Sequence, residues 1–109
     1  MGGELTGAWV AARYAIEPRR VEAMRREGEL VAVWRDGEYR YPAWQFGPTG
    51  PLAAIRDVAR EARRHGIDDE RLVRLLDERE GLTGQRRLHD ALREGHTEPV
   101  LAAIRATQP

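Results

Sequence analysis

The stretch ELVAVWRDGEYRYPAWQF, residues 29–46, decides how the chain folds. Leu30 to Arg35 is rich in β-branched and aromatic residues, and Asp36-Gly37 is the two-residue pair favoured in tight β-hairpins. Glu38 to Tyr41 continues the pattern. A two-residue loop sets Arg35 opposite Glu38, Trp34 opposite Tyr39, Val33 opposite Arg40 and Ala32 opposite Tyr41. The first pair is ionic and the second aromatic, each contributing about 0.2–1 kcal/mol. Leu30, Ala32, Trp34, Tyr39 and Tyr41 share one face, which is expected to cover neighbouring helices. Pro42 ends the ladder by removing a donor, and Trp44 and Phe46 follow as anchors in a strap.

Upstream, Thr6 caps a short helical pattern through Trp9 and Val10. Tyr14 to Glu17 is a tight connection, since Pro18 disfavours helix before it and suits the first turn of the next. That second helix, Pro18 to about Glu27, puts Val21 and Met24 on one side. Arg19, Glu22, Ala23 and Arg26 lie on the other, and Gly28 closes it. Two short helices followed at once by a hairpin have the layout of a minimal winged helix-turn-helix. The same spacing serves an ordinary helical hairpin with a solvated face.

Downstream, Gly47-Pro48-Thr49-Gly50-Pro51 reads as a linker. Leu52, Ile55, Val58 or Ala59 and Ala62 then form an apolar stripe ending at His65-Gly66. Asp68 or Asp69 caps a second helix, carrying Leu72, Leu75 and Leu76 to Gly81. After a Leu82-Thr83-Gly84 loop, a third helix spans Gln85 to Glu94, and Thr97 caps a fourth through Ile104. The expected fold is mainly α with one β-hairpin, a winged helix-turn-helix-like module over residues 1–46 and a small four-helix bundle over 47–109.

Composition limits the function. The 109 residues hold no cysteine, so disulfides, thiolate nucleophiles and Cys-based zinc sites are excluded. No run approaches the roughly 18 apolar residues of a membrane span, and the N-terminus has no basic and apolar leader pattern, so a cytoplasmic protein is expected. All 18 cations are Arg, balanced by 18 acids, and residues 1–46 carry seven of each. A generic polyanion binder is basic overall, so any DNA contact depends on local clustering. His65, His89 and His96 read as surface or capping residues without metal-ligand spacing. Asp68-Asp69-Glu70 reads as helix-start acids. No catalytic constellation, metal site or cofactor is expected.

Tyr41-Pro42-Ala43-Trp44-Gln45-Phe46, a Gly/Pro turn and an amphipathic helix together resemble the Xre/MbcA/ParS antitoxin group. Leu82-Thr83-Gly84, Leu88 to Gly95 and Glu98 to Ala103 extend that resemblance over about residues 40–105. Leu75 or Leu76 and Arg87 stand where the group often has Trp and Pro. Thr6 to Tyr41 instead resembles the winged module of excisionase and MerR-type proteins. The resemblance implies a non-enzymatic antitoxin whose helices occlude a NAD-consuming toxin of RES fold. Leu82, Gly84, Arg87 and Arg105 are then the partner-binding candidates. It also implies a homodimer or a higher hetero-oligomer with the toxin. Operator DNA is the further expected partner, met by Arg19, Arg20 and Arg26, with Arg35 and Arg40 on flanking phosphates. Two alternatives stand beside it: a stand-alone winged regulator whose helical half dimerises, and an adaptor that has lost DNA binding.

Overall fold

Asp36 and Gly37 both take positive φ, 52° and 83°, the backbone of a type I′ turn. In the computed structural model, which describes residues 3–79 and 86–107, this turn joins β2 (Val33–Arg35) to β3 (Glu38–Pro42). The register is the expected one: Val33 opposite Arg40, Trp34 opposite Tyr39, Arg35 opposite Glu38. The hairpin is not alone, however. A strand that its composition did not announce, β1 (Glu4–Thr6), pairs antiparallel with β3, giving a three-stranded sheet of order β1-β3-β2.

Pro42 closes β3 opposite Glu4, and the next amide, Ala43, donates to Gly3 O at 2.9 Å. By the antiparallel alternation, the missing Pro42 donor faces the β2 side of the ladder. There β2 has already left the sheet, so the expected Ala32–Tyr41 pair does not form. Tyr41 lies opposite Leu5 instead.

Between the first two strands in sequence lie α1 (Gly7–Arg13) and α2 (Pro18–Arg26). Thr6 caps α1 by accepting the Trp9 amide at 3.1 Å. The chain then leaves the sheet through a short 3-10 turn (Ala43–Gln45) and a two-residue ribbon, β4 (Phe46–Gly47) with β5 (Gly50–Pro51). Among the described residues four helices follow: α3 (Ala54–Arg64), α4 (Asp69–Leu76), α5 (Leu88–Arg93) and α6 (Thr97–Ala106). The protein is thus mainly helical with a small antiparallel sheet.

Two helix starts differ from expectation. The third helix begins at Leu88 and not Gln85, with the Asp90 carboxylate accepting the Arg87 amide at 3.1 Å. The last is preceded by His96, and Thr97 is its first helical residue without a capping bond. Asp68 does cap α4, accepting Arg71 N–H at 2.9 Å. Gly81 and the Leu82-Thr83-Gly84 loop lie outside the described residues.

The core has two clusters. Val10, Val21, Met24, Leu30, Ala32, Tyr41 and Phe46 pack between α1, α2 and the sheet. Ile55, Val58, Leu72, Leu76, Val100 and Ile104 pack among α3 to α6. Leu30, Val31 and Ala32 alternate between them, Val31 joining the second cluster. Fully burying one such aliphatic side chain contributes about 1.5–3 kcal/mol, so this short alternating run stitches the clusters together. Among the described residues no helix is long and apolar enough to cross a membrane.

Candidate nucleic-acid interface

The face of α2 that points away from the core is set by its two ends. Pro18 occupies the first turn, where its missing N–H costs nothing. Gly28, at φ 79°, ends the helix, with Glu29 N–H returning to Met24 O at 2.8 Å and Gly28 N–H to Arg25 O at 3.2 Å. Val21 and Met24 are buried. Arg19, Arg20 and Arg26 therefore stand exposed beside the α1–α2 turn, around a shallow concavity of about 620 Å³ that also takes in Ile16 and Ala23. Arg19 Nε lies 2.7 Å from Glu17, and Arg20 lies 3.8 Å from Glu27 and 3.7 Å from Glu29. Arg26 forms no ion pair among the described residues.

Arg25, which the sequence reading passed over, fixes the hairpin to this helix. Its guanidinium carbon sits 3.8 Å from the centre of the Tyr39 ring, a close cation–π contact. Tyr39 meets Trp34 edge to face, with centroids 4.8 Å apart. The helical step from buried Val21 to Arg25 was the available signal, since residues four apart share a face. Burial pushes the Tyr41 hydroxyl pKa up, against the opposing charge and hydrogen bond of Arg25. Tyr41 covers the helices as expected, whereas Trp34 is 55% exposed and reaches beyond them. A groove of about 470 Å³ separates Pro18, Arg19 and Glu22 from Trp34, Gly37 and Tyr39.

Arg35 and Arg40 do not join that surface. Strand alternation sets them on the other side of the sheet from Trp34 and Tyr39. Arg35 pairs with Glu70 at 2.9 Å and approaches Glu4 at 3.8 Å. Arg40 pairs with Glu38 at 3.0 Å and lines a cleft with Trp44, Val73, Arg74 and His89.

The strap reaches both clusters. Phe46 stacks on Tyr14 at 5.8 Å in the first, while Trp44 packs against the second and lies parallel to the His89 ring at 5.3 Å. Arg93 donates to Trp44 O at 3.0 Å and Phe46 O at 3.1 Å. His89 is thus partly buried against the strap, not a free surface residue; His65 pairs with Glu61 at 3.0 Å and His96 is exposed. Between the two aromatics, Gln45 is fully buried, and its role was not read from the sequence.

Of the partner-binding candidates, Leu82 and Gly84 lie outside the described residues. Arg87 pairs with Asp77 at 3.5 Å, and Arg105 with Glu61 at 3.3 Å and Glu98 at 4.0 Å. These are separate ion pairs on separate helices. Among the described residues no group of three or more His, Cys, Asp or Glu side chains could hold a metal ion.

No family model matches the chain. No curated protein matches it either. Among solved structures it is similar to the NMR structure of Rv2175c, with a TM-score of 0.83 and 22% identity, over 95% of this chain and 80% of that one. At that identity the likeness establishes a shared fold.

Proposed function

We propose that the protein binds double-stranded DNA as a minimal winged helix-turn-helix. In this reading α1, the Tyr14–Glu17 turn and α2 are the helix-turn-helix, the β2–β3 hairpin is the wing, and α3 to α6 supply the surface for self-association or a protein partner. The observation that carries it is the exposed Arg19, Arg20 and Arg26 face of α2 beside a hairpin that Arg25 locks in place. A helix in the major groove needs such a polar outer face, while its inner face is buried.

The balanced charge of the chain bears on strength. A single copy neutralises few phosphates, so its binding is weak and is best seen at low salt. Two copies on two half-sites would provide the remaining contacts.

Occlusion of a RES-type toxin, which the antitoxin resemblance implies, is ranked below this reading. Of the residues that carry the resemblance, Tyr41, Pro42, Gln45 and Phe46 are buried. Packing alone accounts for these four, so they offer a toxin no surface.

Replacing Arg19 and Arg26 together by Ala removes two cations from the outer face of α2 without touching a buried contact. The double variant should lose duplex binding in a low-salt gel shift while keeping its thermal transition. Undiminished binding would remove the proposal, as would a wild-type protein that binds no duplex at low salt.

A further inference from the structure

The arginine surface does not stop at the end of α2. Glu29 lies 3.7 Å from Arg20 and 3.4 Å from Arg56, so one carboxylate links the outer face of α2 to the first turn of α3. Along α3, Arg56, Arg60, Arg63 and Arg64 recur at spacings of four, three and one, forming one stripe on a helix of 3.6 residues per turn. Ile55, Val58, Ala59 and Ala62 occupy the buried side of the same helix. The side chains of Arg56, Arg60 and Arg64 are 59%, 66% and 72% exposed.

The seam between the two helices is closed by backbone contacts. Arg63 donates to Arg25 O and Arg26 O, each at 3.2 Å. Gly28 makes room for it, since a Cβ there would stand 3.1 Å from Arg63 Nη1. A concavity of about 380 Å³ runs along this seam, lined by Glu27, Gly28 and the four α3 arginines.

We propose that the α3 arginine row is a second phosphate-contacting face, continuous with α2, which carries the DNA backbone across the α2–α3 seam. This rests on the DNA-binding reading above and extends the contact surface beyond the winged module. The acids beside the row pair with guanidinium groups that stay largely exposed: Glu29 at 3.4 Å from Arg56, Asp57 at 4.0 Å from Arg60 and Glu61 at 3.7 Å from Arg64. Solvent-exposed pairs of this kind are weak, and a phosphate can take the place of the carboxylate. Planar guanidinium groups suit phosphate oxygens bidentately. Continuity with Arg20 through Glu29 favours a polymer of phosphates over an acidic protein patch.

The test is a salt titration of full-length protein on a labelled DNA duplex, comparing wild type with Arg60→Gln/Arg64→Gln. Two lost phosphate contacts should lower the slope of log K against log salt by about 1.8, at about 0.9 per contact. Arg74→Gln, on α4, should leave the slope unchanged, and an equal drop there would overturn the proposal as a general charge effect. An unchanged slope in the double variant, with binding still abolished by Arg19→Ala/Arg26→Ala, would overturn the α3 contact alone. Absence of duplex binding by wild type at low salt would overturn both readings. Weakened binding to polyglutamate with unchanged binding to DNA would assign the row to an acidic protein, and that too overturns it.

Discussion

Gln45 grips Val31 by both of its backbone groups: its Oε1 accepts the Val31 N–H at 2.9 Å and its Nε2 donates to Val31 O at 2.8 Å. The same Nε2 donates to Pro42 O at 3.1 Å. One buried amide thus replaces the strand pairing that Val31 loses where β2 leaves the sheet. Gln45→Leu keeps the volume and strands three buried backbone groups, each costing about 1–3 kcal/mol when unsatisfied. With partial relaxation, the expected loss is about 2–4 kcal/mol in urea unfolding. A change below about 0.5 kcal/mol, the range of an inconsequential surface substitution, would contradict this role.

The elements that could be read from the sequence are those whose cause is local. Asp36-Gly37 sets its own turn and therefore the whole hairpin register, and Gly28 and Gly66 end helices at positive φ. β1 could not be read, because Leu5 is the one apolar residue in a three-residue strand that exists only through β3. Gln45 and Asp69 were opaque for another reason: their partners are 14 and 37 residues away. The site was half legible. The 100° helical step gave Arg19 and Arg26, with Arg20 beside them, but Arg35 and Arg40 were assigned to the same surface against the strand alternation that the register already implied.

The free edge of β2 is covered by acids from the start of α4. Asp69 accepts the Ala32 amide at 3.1 Å and Glu70 the Trp34 amide at 3.2 Å. Burial raises the Asp69 pKa, against the Ala32 hydrogen bond and the charges of Arg63 and Arg25. A carboxyl raised in the folded state contributes stability that is complete below its ordinary pKa and lost as pH rises through the raised one. Asp69→Asn keeps an acceptor for Ala32 and removes the titration. Relative to this variant, the wild type should gain stability on acidification through the raised pKa. Urea midpoints that fall together over that window would exclude the assignment.

Glu61 titrates with the opposite sign. Burial by itself would raise its pKa, but hydrogen bonds from His65 and Arg105, with the charges of Arg105 and Arg64, hold it below the ordinary carboxylate value. Its stabilisation is present above that ordinary value and lost as pH falls through the lowered one. Glu61→Gln should therefore be less stable than wild type at neutral pH, with the gap closing in acid. A gap that stays constant in melting temperature across the acid range would show that Glu61 acts by shape alone.

Ala15 closes α1 in a conformation suited to glycine. Its φ is 54°, with its amide directed to Ala12 O at 3.4 Å and the Ile16 amide returning to Ala11 O at 3.0 Å. A Cβ in this left-handed region is strained, and a glycine there is not. Ala15→Gly should stabilise by about 0.5–1 kcal/mol after the added chain entropy of the unfolded state, raising Tm by roughly 3–6 °C. A lowered Tm would mean that the methyl group contributes packing beyond this strain.

Arg63 supports a neighbouring helix more than its own. By donating to Arg25 O and Arg26 O it satisfies carbonyls at the negative end of α2, where a cation is also favoured by the helix dipole. Its exposure to solvent limits the effect, so Arg63→Ala should cost about 1 kcal/mol. Arg60→Ala, one turn earlier and paired with Asp57 at 4.0 Å, should stay within about 0.5 kcal/mol of wild type. Gly28→Ala should cost more than either, because it combines a φ of 79° with a Cβ 3.1 Å from Arg63 Nη1. If chemical denaturation ranked Arg60→Ala level with Arg63→Ala, the α2–α3 seam would owe its order to apolar packing alone.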